Sequence, residues 1–292
     1  MTARHSNARA KLRDILRGDR CVTMASVYDP ISARIAQGLG CEAGLIGGSL
    51  ASLAVLGAPD IILITLTELA EQVRRATRAF DLPLVVDGDH GYGNGLNVMR
   101  TIEELDAAGA AAVSIEDTLL PRAYGSSEAP QLLSIEEGVG KLKAAVAARG
   151  DSGPLVFGRT SAQIFTDVDD AIARLTVYET LGVDALMLAG LRSRDDLDRI
   201  SAATHLPLIV GGMPQSMGDP AYLASKRARL WSSGHQSVNV GIGALYEAMK
   251  AVHEGMLAPN LPGIPSKQTM DAITTEAEYT ARMAAFLAPD RH

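Results

Sequence analysis

Short apolar runs rich in Val, Ile and Leu alternate along the chain with longer stretches whose apolar residues recur at helical spacing. Runs without polar alternation are typical of parallel strands that are buried on both faces. Eight runs fit this description, at residues 22–25, 43–46, 84–86, 111–115, 155–157, 185–188, 208–210 and 228–231. Eight strand–helix units in about 250 residues predict an α/β fold of the (β/α)8 TIM-barrel type, with a doubly wound open sheet as the alternative.

Between the runs, the spacing of apolar residues predicts helices with recognisable ends. Val98, Ile102 and Leu105 share one helical face, and Gly109 follows them where a left-handed C-cap is expected. The stretch 167–175 begins with acidic residues, which suit the positive end of a helix dipole. These signals place helices after the third and the fifth predicted strands.

The chain changes character after residue 256, where a linker with several prolines precedes one last predicted helix at 270–287. A barrel is complete without this segment, so we expect a catalytic barrel domain at 1–256 and an oligomer-packing segment at 257–292. The last helix carries a partial apolar stripe, made of Met270, Ile273, Ala277, Met283 and Phe286. The stripe needs a cover, which is either the chain's own barrel or a neighbouring subunit.

Composition and charge narrow the function. The 292 residues are 47% hydrophobic and 21% charged, which is ordinary for a globular protein and excludes a disordered chain. A net charge of −7 leaves no basic surface for nucleic acid or anionic lipid. No run reaches the roughly eighteen apolar residues of a membrane span. Only Cys21 and Cys41 are present and the start of the chain is polar, so we expect a cytoplasmic protein with a small ligand.

Acidic residues follow two neighbouring predicted strands, at the rim where the active sites of parallel α/β barrels lie. Asp87 and Asp89 follow the third strand, and Glu116 follows the fourth. Oxygen ligands without cysteine suit Mg2+ or Mn2+. A single Asp after a strand is often only a helix cap or a turn residue, but three acids at one rim favour a metal site.

Other polar residues leave alternatives open. Arg159 follows the fifth strand and either binds a substrate carboxylate or only pairs with the nearby acids. His90 and His235 lie in glycine-flanked turns near the rim, as catalytic or as ordinary loop residues. No lysine falls at a predicted strand end, which argues against a Schiff-base aldolase. The glycines at 91–95 lack the spacing of a dinucleotide-binding loop.

Seven short stretches, spread over nearly the whole chain, together resemble the isocitrate lyase/phosphoenolpyruvate mutase superfamily. They are SVYDPISARIA (26–36), GGSLAS (47–52), PDIILITLTE (59–68), DGDHGYGN (87–94), SIEDTLLP (114–121), GRTSA (158–162) and GHQ (234–236). The resemblance implies a Mg2+-dependent (β/α)8 barrel that acts on 2-oxo or 2-hydroxy carboxylates. It also implies a homotetramer, a dimer of dimers, in which paired subunits exchange the extra C-terminal helical segment.

The resemblance assigns roles to the acids and the arginine at the rim. Asp87 resembles the main metal ligand, while Asp89 and Glu116 resemble acids that hold the ion directly or through water. Arg159 resembles the residue that clamps a substrate carboxylate.

The same resemblance assigns further substrate contacts. Ser49 and the neighbouring backbone N–H groups, including that of Gly48, resemble the contact with the 2-oxo acid. Tyr28 resembles an aromatic wall after the first strand, and Asp60 resembles a catalytic acid on the loop after the second. His235 is expected to bind the departing carboxylate or to pass a proton to the intermediate.

The loop at 118–130, which reads TLLPRAYGSSEAP, narrows the resemblance to one branch. It lacks the cysteine of the lyases that cleave isocitrate or methylisocitrate, and also the Lys and Asn of the phosphonopyruvate-processing enzymes. TLLPRAYG (118–125) and RARLWSSGHQ (227–236) instead resemble the branch that decarboxylates oxaloacetate. Ser161, where Asn or Asp is usual, and the loop 211–213, which lacks an expected tyrosine, depart from that branch.

We therefore expect Mg2+-dependent decarboxylation of oxaloacetate, or of a close 2-oxo diacid, to pyruvate and CO2 through a metal-bound enolate. Mn2+ is an alternative cofactor, and the partner is a small 2-oxo dicarboxylate. Two alternatives stay open. One is another carbon–carbon lyase or hydrolase of the superfamily, either 2-methylisocitrate lyase-like or phosphonopyruvate-processing. The other is a metabolite-binding barrel without catalytic activity.

Overall fold

The computed structural model describes residues 3–125 and 130–287, and its eight parallel strands form a closed barrel in chain order. The strands are β1 (Val22–Ser26), β2 (Ala43–Ile46), β3 (Leu84–Asp87), β4 (Ala112–Glu116), β5 (Leu155–Thr160), β6 (Ala185–Ala189), β7 (Leu208–Gly211) and β8 (Ala228–Ser232). Because β8 pairs with β1, the sheet has no open edge. The TIM-barrel prediction is therefore confirmed, and the open sheet is excluded.

All eight predicted strands are present, but seven of them continue one to three residues beyond the apolar run. The added residues are small or polar, so hydrophobicity alone does not mark them. Backbone pairing nevertheless continues, since Asp87 is in register with Ser114, and Glu116 with Arg159. Three candidate site residues, Asp87, Glu116 and Arg159, are thus held by the ends of strands and not by loops.

Helices surround the barrel. In chain order they are α1 (Ala3–Arg17), α2 (Pro30–Gly38), α3 (Gly48–Leu56), α4 (Leu66–Thr77), α5 (Gly95–Ala108), α6 (Ile135–Arg149), α7 (Ala162–Phe165), α8 (Val168–Tyr178), α9 (Arg194–Ala203), α10 (Pro220–Ser225), α11 (Gln236–His253), α12 (Lys267–Thr274) and α13 (Glu276–Phe286). Short 3-10 helices lie at Glu179–Leu181, Gln215–Met217 and Ala258–Asn260. The predicted left-handed C-cap is confirmed, since Gly109 ends α5 with a φ of 93°. The acidic start predicted at 167–175 is the first turn of α8, whose N-cap, Asp167, accepts a hydrogen bond from that turn.

Buried apolar residues form two layers on either side of the strands. The inner layer fills the barrel with side chains such as Met24, Leu45 and Phe157, and Leu12 of α1 closes its base. The outer layer lies between strands and helices and is the larger of the two. Successive residues of a strand belong to different layers, as the pleat requires: Leu84 and Val86 lie in the outer layer, and Val85 lies in the inner one.

The last part of the chain differs from the barrel in its packing. Helix α11 has one buried residue, Val238, although a helix in this position of a barrel normally covers the strands. Large apolar side chains of α11 are exposed, namely Val240, Ile242, Leu245, Tyr246, Met249 and Val252.

Within the described residues, no helix is long and apolar enough to cross a membrane.

The single helix predicted at 270–287 is wrong in one respect, because two helices occupy this region. Thr275 has a φ of 55°, and its N–H bonds back to the last turn of α12, so that the chain turns before α13 begins. Helix α12 lies against α2, where Arg34 donates a hydrogen bond to the carbonyl of Ile273 at 3.1 Å. The partial apolar stripe thus belongs to two short helices and not to one surface.

Candidate active site

A cavity of about 640 Å3 opens at the carboxyl-terminal rim of the barrel, beside the ends of β3, β4 and β5. Its polar part contains most of the predicted site residues, namely Asp60, Asp87, Asp89, Glu116 and Arg159. Ser161 also lines it, and apolar side chains such as Ile61 and Phe165 form part of its wall. The fold therefore brings together residues that are far apart in the sequence.

Asp87, the last residue of β3, is the most heavily bonded acid of the cavity. Its Oδ2 accepts a hydrogen bond from Arg159 Nη1 at 2.6 Å. Its Oδ1 accepts from the Ser114 hydroxyl and from the Asp89 N–H, each at 3.2 Å. The backbone N–H of Gly48 lies 3.5 Å from Oδ2. Donors from β4, β5 and the start of α3 thus fix this carboxylate.

Asp89 and Glu116 are buried acids whose ionised forms are disfavoured. Asp89 is only 5% exposed, and burial together with the charges of Asp87 and Glu116 raises its pKa well above the usual range. Burial also raises the pKa of Glu116, against the opposing effect of Arg159. Glu116 Oε2 lies 3.1 Å from Arg159 Nη2. These two acids need a nearby positive charge to stay ionised.

Arg159 bridges the acids of two strands. Its two terminal nitrogens contact Asp87 and Glu116, and these charges raise its pKa although burial alone would lower it. Among the described residues, its Nε has no hydrogen-bond partner. The guanidinium is therefore permanently charged, and one of its donors is unused.

Asp60 lies on the loop after β2 and faces the same cavity. Burial, followed by repulsion from Asp87, raises the pKa of its carboxyl group. The neighbouring Ile62 has a φ of 62°, which is unusual for a β-branched residue. The loop that presents Asp60 is thus held in a strained conformation.

The segment 87–94, which we call the acid loop, carries two of the acids in an unusual backbone conformation. Asp89 and Tyr92 have positive φ angles of 47° and 59°. Gly48 packs so closely on Asp89 that a Cβ atom at position 48 would collide with the carboxylate. Glycine at this position allows α3 to approach the acid loop.

His235 stands at the start of α11, beside the same rim. Its Nδ1 lies 2.8 Å from the Ser26 hydroxyl, which also donates to the carbonyl of Gly234 at 3.2 Å. Its Nε2 packs against Gly47, the residue before the Gly48 contact with the acids. Burial lowers the pKa of His235, and Asp87 opposes this effect. The histidine is therefore fixed by a hydroxyl group and neutral near pH 7.

Two predicted contacts are placed differently. Ser49 is exposed in the first turn of α3, next to the acids but outside the residues that line the cavity. Tyr28 borders a separate cavity of about 250 Å3 together with Asp29 and Gln72. Gly48 and His235 do not line the acidic cavity either, but Gly48 lies against two of its acids, Asp87 and Asp89.

Two residues of the site, Ser114 and Ser26, were not predicted from the sequence. Their hydroxyl groups support Asp87 and His235. Ser114 could have been found, because it lies two residues before Glu116 and must share its face of the strand. Asp117, next to Glu116, faces the opposite side.

Asp117 belongs to the helical layer. Its Oδ2 accepts from Tyr178 at 2.8 Å and from Arg174 at 3.1 Å, both on α8. Burial raises the pKa of this carboxyl group, while those donors oppose the rise. Asp117 is therefore a structural acid that joins β4 to α8.

The acids of the cavity suit a divalent cation in chemistry and in charge. The candidate ligands are carboxylates, as Mg2+ and Mn2+ prefer, and carboxylates outnumber guanidinium groups in the lining. Across residues 3–125 and 130–287, no three His, Cys, Asp or Glu side chains converge as a ligand set. Arg159 instead bridges Asp87 and Glu116. The carboxylates of the cavity thus fit a divalent cation in ligand type, and their negative charge exceeds the positive charge of the arginines that line the cavity.

The closed parallel barrel and its acidic rim define a (β/α)8-barrel enzyme with its active site at the carboxyl ends of the strands. The chain belongs to the phosphoenolpyruvate phosphomutase family, whose sequence model matches residues 12–257. This match confirms the resemblance to the isocitrate lyase/phosphoenolpyruvate mutase superfamily, whose members are generally divalent-metal dependent.

Individual relatives are similar over nearly the whole chain. The oxaloacetate decarboxylase of Paraburkholderia xenovorans (strain LB400) is 56% identical over 280 residues, which are 96% of this chain and 94% of that protein. A solved phosphonopyruvate hydrolase in complex with oxalate and Mg2+ is 26% identical, with a TM-score of 0.83 and coverage of 97% and 100%. A solved oxaloacetate acetylhydrolase, 24% identical with a TM-score of 0.85 and coverage of 96% and 97%, shares the fold.

Proposed function

We propose that this protein decarboxylates oxaloacetate, or a close 2-oxo diacid, to pyruvate and CO2. The observation that carries the proposal is the 56% identity, over 96% of the chain, to a protein named oxaloacetate decarboxylase. The acidic cavity supports it, because a cationic cofactor and an anionic substrate can meet there. The chain is thus a carbon–carbon lyase in this proposal.

Asp87, Asp89 and Glu116 would hold the divalent cation, Mg2+ or Mn2+. Their carboxylates suit these ions, and the relative with bound oxalate and Mg2+ supports the choice of magnesium. When bound, the cation supplies Lewis acidity for the electrons that the departing CO2 leaves behind.

Arg159 and the start of α3 would bind the substrate. Arg159 lines the cavity, and its guanidinium group would provide the positive charge that pairs with a substrate carboxylate. The N-cap of α3 is Gly47, which has no side chain to cap the helix, so the Ser49 N–H would be offered to a 2-oxo acid oxygen. The Gly48 N–H, which lies 3.5 Å from Asp87 Oδ2, would be shared between that carboxylate and the substrate oxygen. These groups orient the substrate for loss of CO2.

His235 and Asp60 would handle protons and the distal carboxylate. If the Ser26 hydroxyl donates to Gly234, the Nδ1–H of His235 donates to Ser26, which leaves the Nε2 lone pair free. Asp60, whose pKa is raised by burial, lines the cavity and would act as an acid. Tyr28 remains a predicted aromatic wall, and its separate cavity lends it no support.

The test is whether purified protein with Mg2+ or Mn2+ converts oxaloacetate to pyruvate well above the metal-catalysed background. EDTA should abolish the difference, and Asp87→Ala should remove nearly all of it. Asp195→Ala, an exposed acid on α9, is the matched control and should retain full activity. Turnover of 2-methylisocitrate or phosphonopyruvate, with oxaloacetate untouched, would replace this substrate by that of another superfamily branch.

We also propose that the chain forms a homotetramer, a dimer of dimers, through its C-terminal helices, and that residues 257–292 serve assembly. The exposed apolar side chains of α11 support this, because exposed apolar patches of this kind usually pack in an interface. Truncation after Gly263 should lower the oligomeric state measured by light scattering. An unchanged state would refute the role of the tail. A cytoplasmic location remains part of the same proposal.

A further inference from the structure

Lys141 of α6 is a buried lysine outside the active site, and the proposed mechanism does not use it. Its side chain is only 5% exposed, and its ammonium group donates a hydrogen bond to the backbone carbonyl of His90 at 2.9 Å. Glu116, Asp117 and Glu137 are the acids whose charges reach it, but none of the described residues forms an ion pair with it. Burying an ammonium group in this way is unfavourable compared with an apolar side chain.

The carbonyl that Lys141 contacts lies in the middle of the acid loop. Three successive carbonyl groups of this loop are each held from outside it. The Glu116 N–H donates to the carbonyl of Asp89 at 2.9 Å, and the Thr101 hydroxyl donates to that of Gly91 at 3.1 Å. Lys141 holds the carbonyl between them, and among these donors only it is charged and comes from α6.

The acid loop needs such support because of its backbone. A positive φ, as at Asp89 and Tyr92, is unfavourable for residues with side chains. Repulsion among buried carboxylates adds a second tendency for the loop to move. External hydrogen bonds must therefore keep Asp87 and Asp89 in place.

We propose that Lys141 is a positioning residue that fixes the acid loop, and thereby the acids of the active site, through its hydrogen bond to the His90 carbonyl. The catalytic consequence rests on the function proposed above, whereas the effect on the loop does not. Lys141 touches neither the substrate nor the acids' ligand atoms, so that it acts only through the loop. An unfavourable buried charge is retained because it sets the geometry of the site.

The test compares Lys141→Met with Lys143→Met, which makes the same change at an exposed position of the same helix. Hydrogen exchange of a peptide covering residues 87–94 should become at least about tenfold faster in Lys141→Met only. Mn2+ affinity and kcat/KM should each fall about 10- to 100-fold, which is the usual loss when a residue that supports a metal ligand is mutated. Lys141→Arg, which keeps a charged donor, should restore part of each loss.

The urea midpoint separates positioning from simple stabilisation. We expect Lys141→Met to unfold at nearly the same urea concentration as Lys143→Met. Unchanged exchange at 87–94 in Lys141→Met would overturn the inference, as would a lower urea midpoint with unchanged Mn2+ affinity and kcat/KM. If the wild-type protein does not decarboxylate oxaloacetate, the proposed function fails, but the exchange experiment still decides the role of Lys141.

Discussion

The base and the rim of the barrel each bury an arginine, and the two arginines have opposite surroundings. At the base, Arg9 of α1 is 1% exposed and pairs with one carboxylate, that of Asp106. Its other donors reach the backbone carbonyls of Ala110 and Ser152 at 2.9–3.1 Å. At the rim, Arg159 contacts two carboxylates, and its Nε has no hydrogen-bond partner in the part of the chain that the structure describes.

Buried charge has a different effect at the base of the barrel and at its rim. At the base, one cation meets one anion and several neutral acceptors, so nothing is left over for a ligand and the arrangement only stabilises. At the rim, acids exceed bases and donors remain unused, which is unfavourable for folding and favourable for binding. A barrel can thus use the same residue type for stability at one end and for chemistry at the other.

The largest effect should follow from Arg159→Met. Loss of the charged donor should lower kcat/KM for oxaloacetate roughly a thousandfold, because the substrate carboxylate loses its partner. Steady-state kinetics would show it, with circular dichroism to confirm that the barrel persists. Activity within tenfold of wild type would mean that Arg159 only joins two acids, and the contrast between the two arginines would disappear.

Arg9→Met, at the base, should have the opposite effect to Arg159→Met: it should lower stability and leave activity nearly unchanged. Leaving the Asp106 carboxylate and the carbonyls of Ala110 and Ser152 without this donor should lower the free energy of unfolding by about 3 kcal/mol. Urea unfolding measures this change, while kcat/KM of the folded fraction should stay within twofold of wild type. Arg17→Met, on an exposed position of the same helix, should change stability by less than about 0.5 kcal/mol.

His235→Gln tests whether the rim contains residues that act on the substrate and not on the ion. We expect kcat to fall about 10- to 100-fold while the affinity for Mn2+ is unchanged, since His235 contacts Ser26 and Gly47 and none of the proposed ligands. Titration with Mn2+ beside steady-state kinetics separates the two quantities. Equal losses in kcat and in Mn2+ affinity would indicate that His235 belongs to the metal site. No loss in either would indicate an ordinary loop residue.

The smallest effect is expected in the helical layer. Tyr178→Phe removes one donor from Asp117 and leaves Arg174 in place, so stability should fall by about 1 kcal/mol. Pyruvate formation should be unaffected, because Asp117 faces away from the cavity. A marked loss of activity in this variant would show that the two faces of β4 are coupled.

Much of the fold was predictable because the strands are buried on both faces and therefore read as plain apolar runs. The strand ends were not, since rim residues such as Asp87 and Arg159 are polar although their backbones still pair. The acids could be grouped because consecutive parallel strands end at the same rim.

Other features depend on tertiary contacts that a sequence pattern does not contain. Helix α11 carries many apolar residues, but the structure leaves nearly all of that helix exposed. The break at Thr275 has no glycine or proline to signal it. Tyr28 follows β1 as expected, but its side chain belongs to a different cavity.

The alternation along β4 has a consequence for how such an enzyme can change over evolutionary time. Ser114 and Glu116 lie on the side of Asp87 and Arg159, whereas Ile115 and Asp117 face the helices. Mutations at the first pair can therefore be sampled while the second pair keeps the scaffold intact. A change in the cavity and a change in the packing of the barrel are thus available to evolution as separate steps.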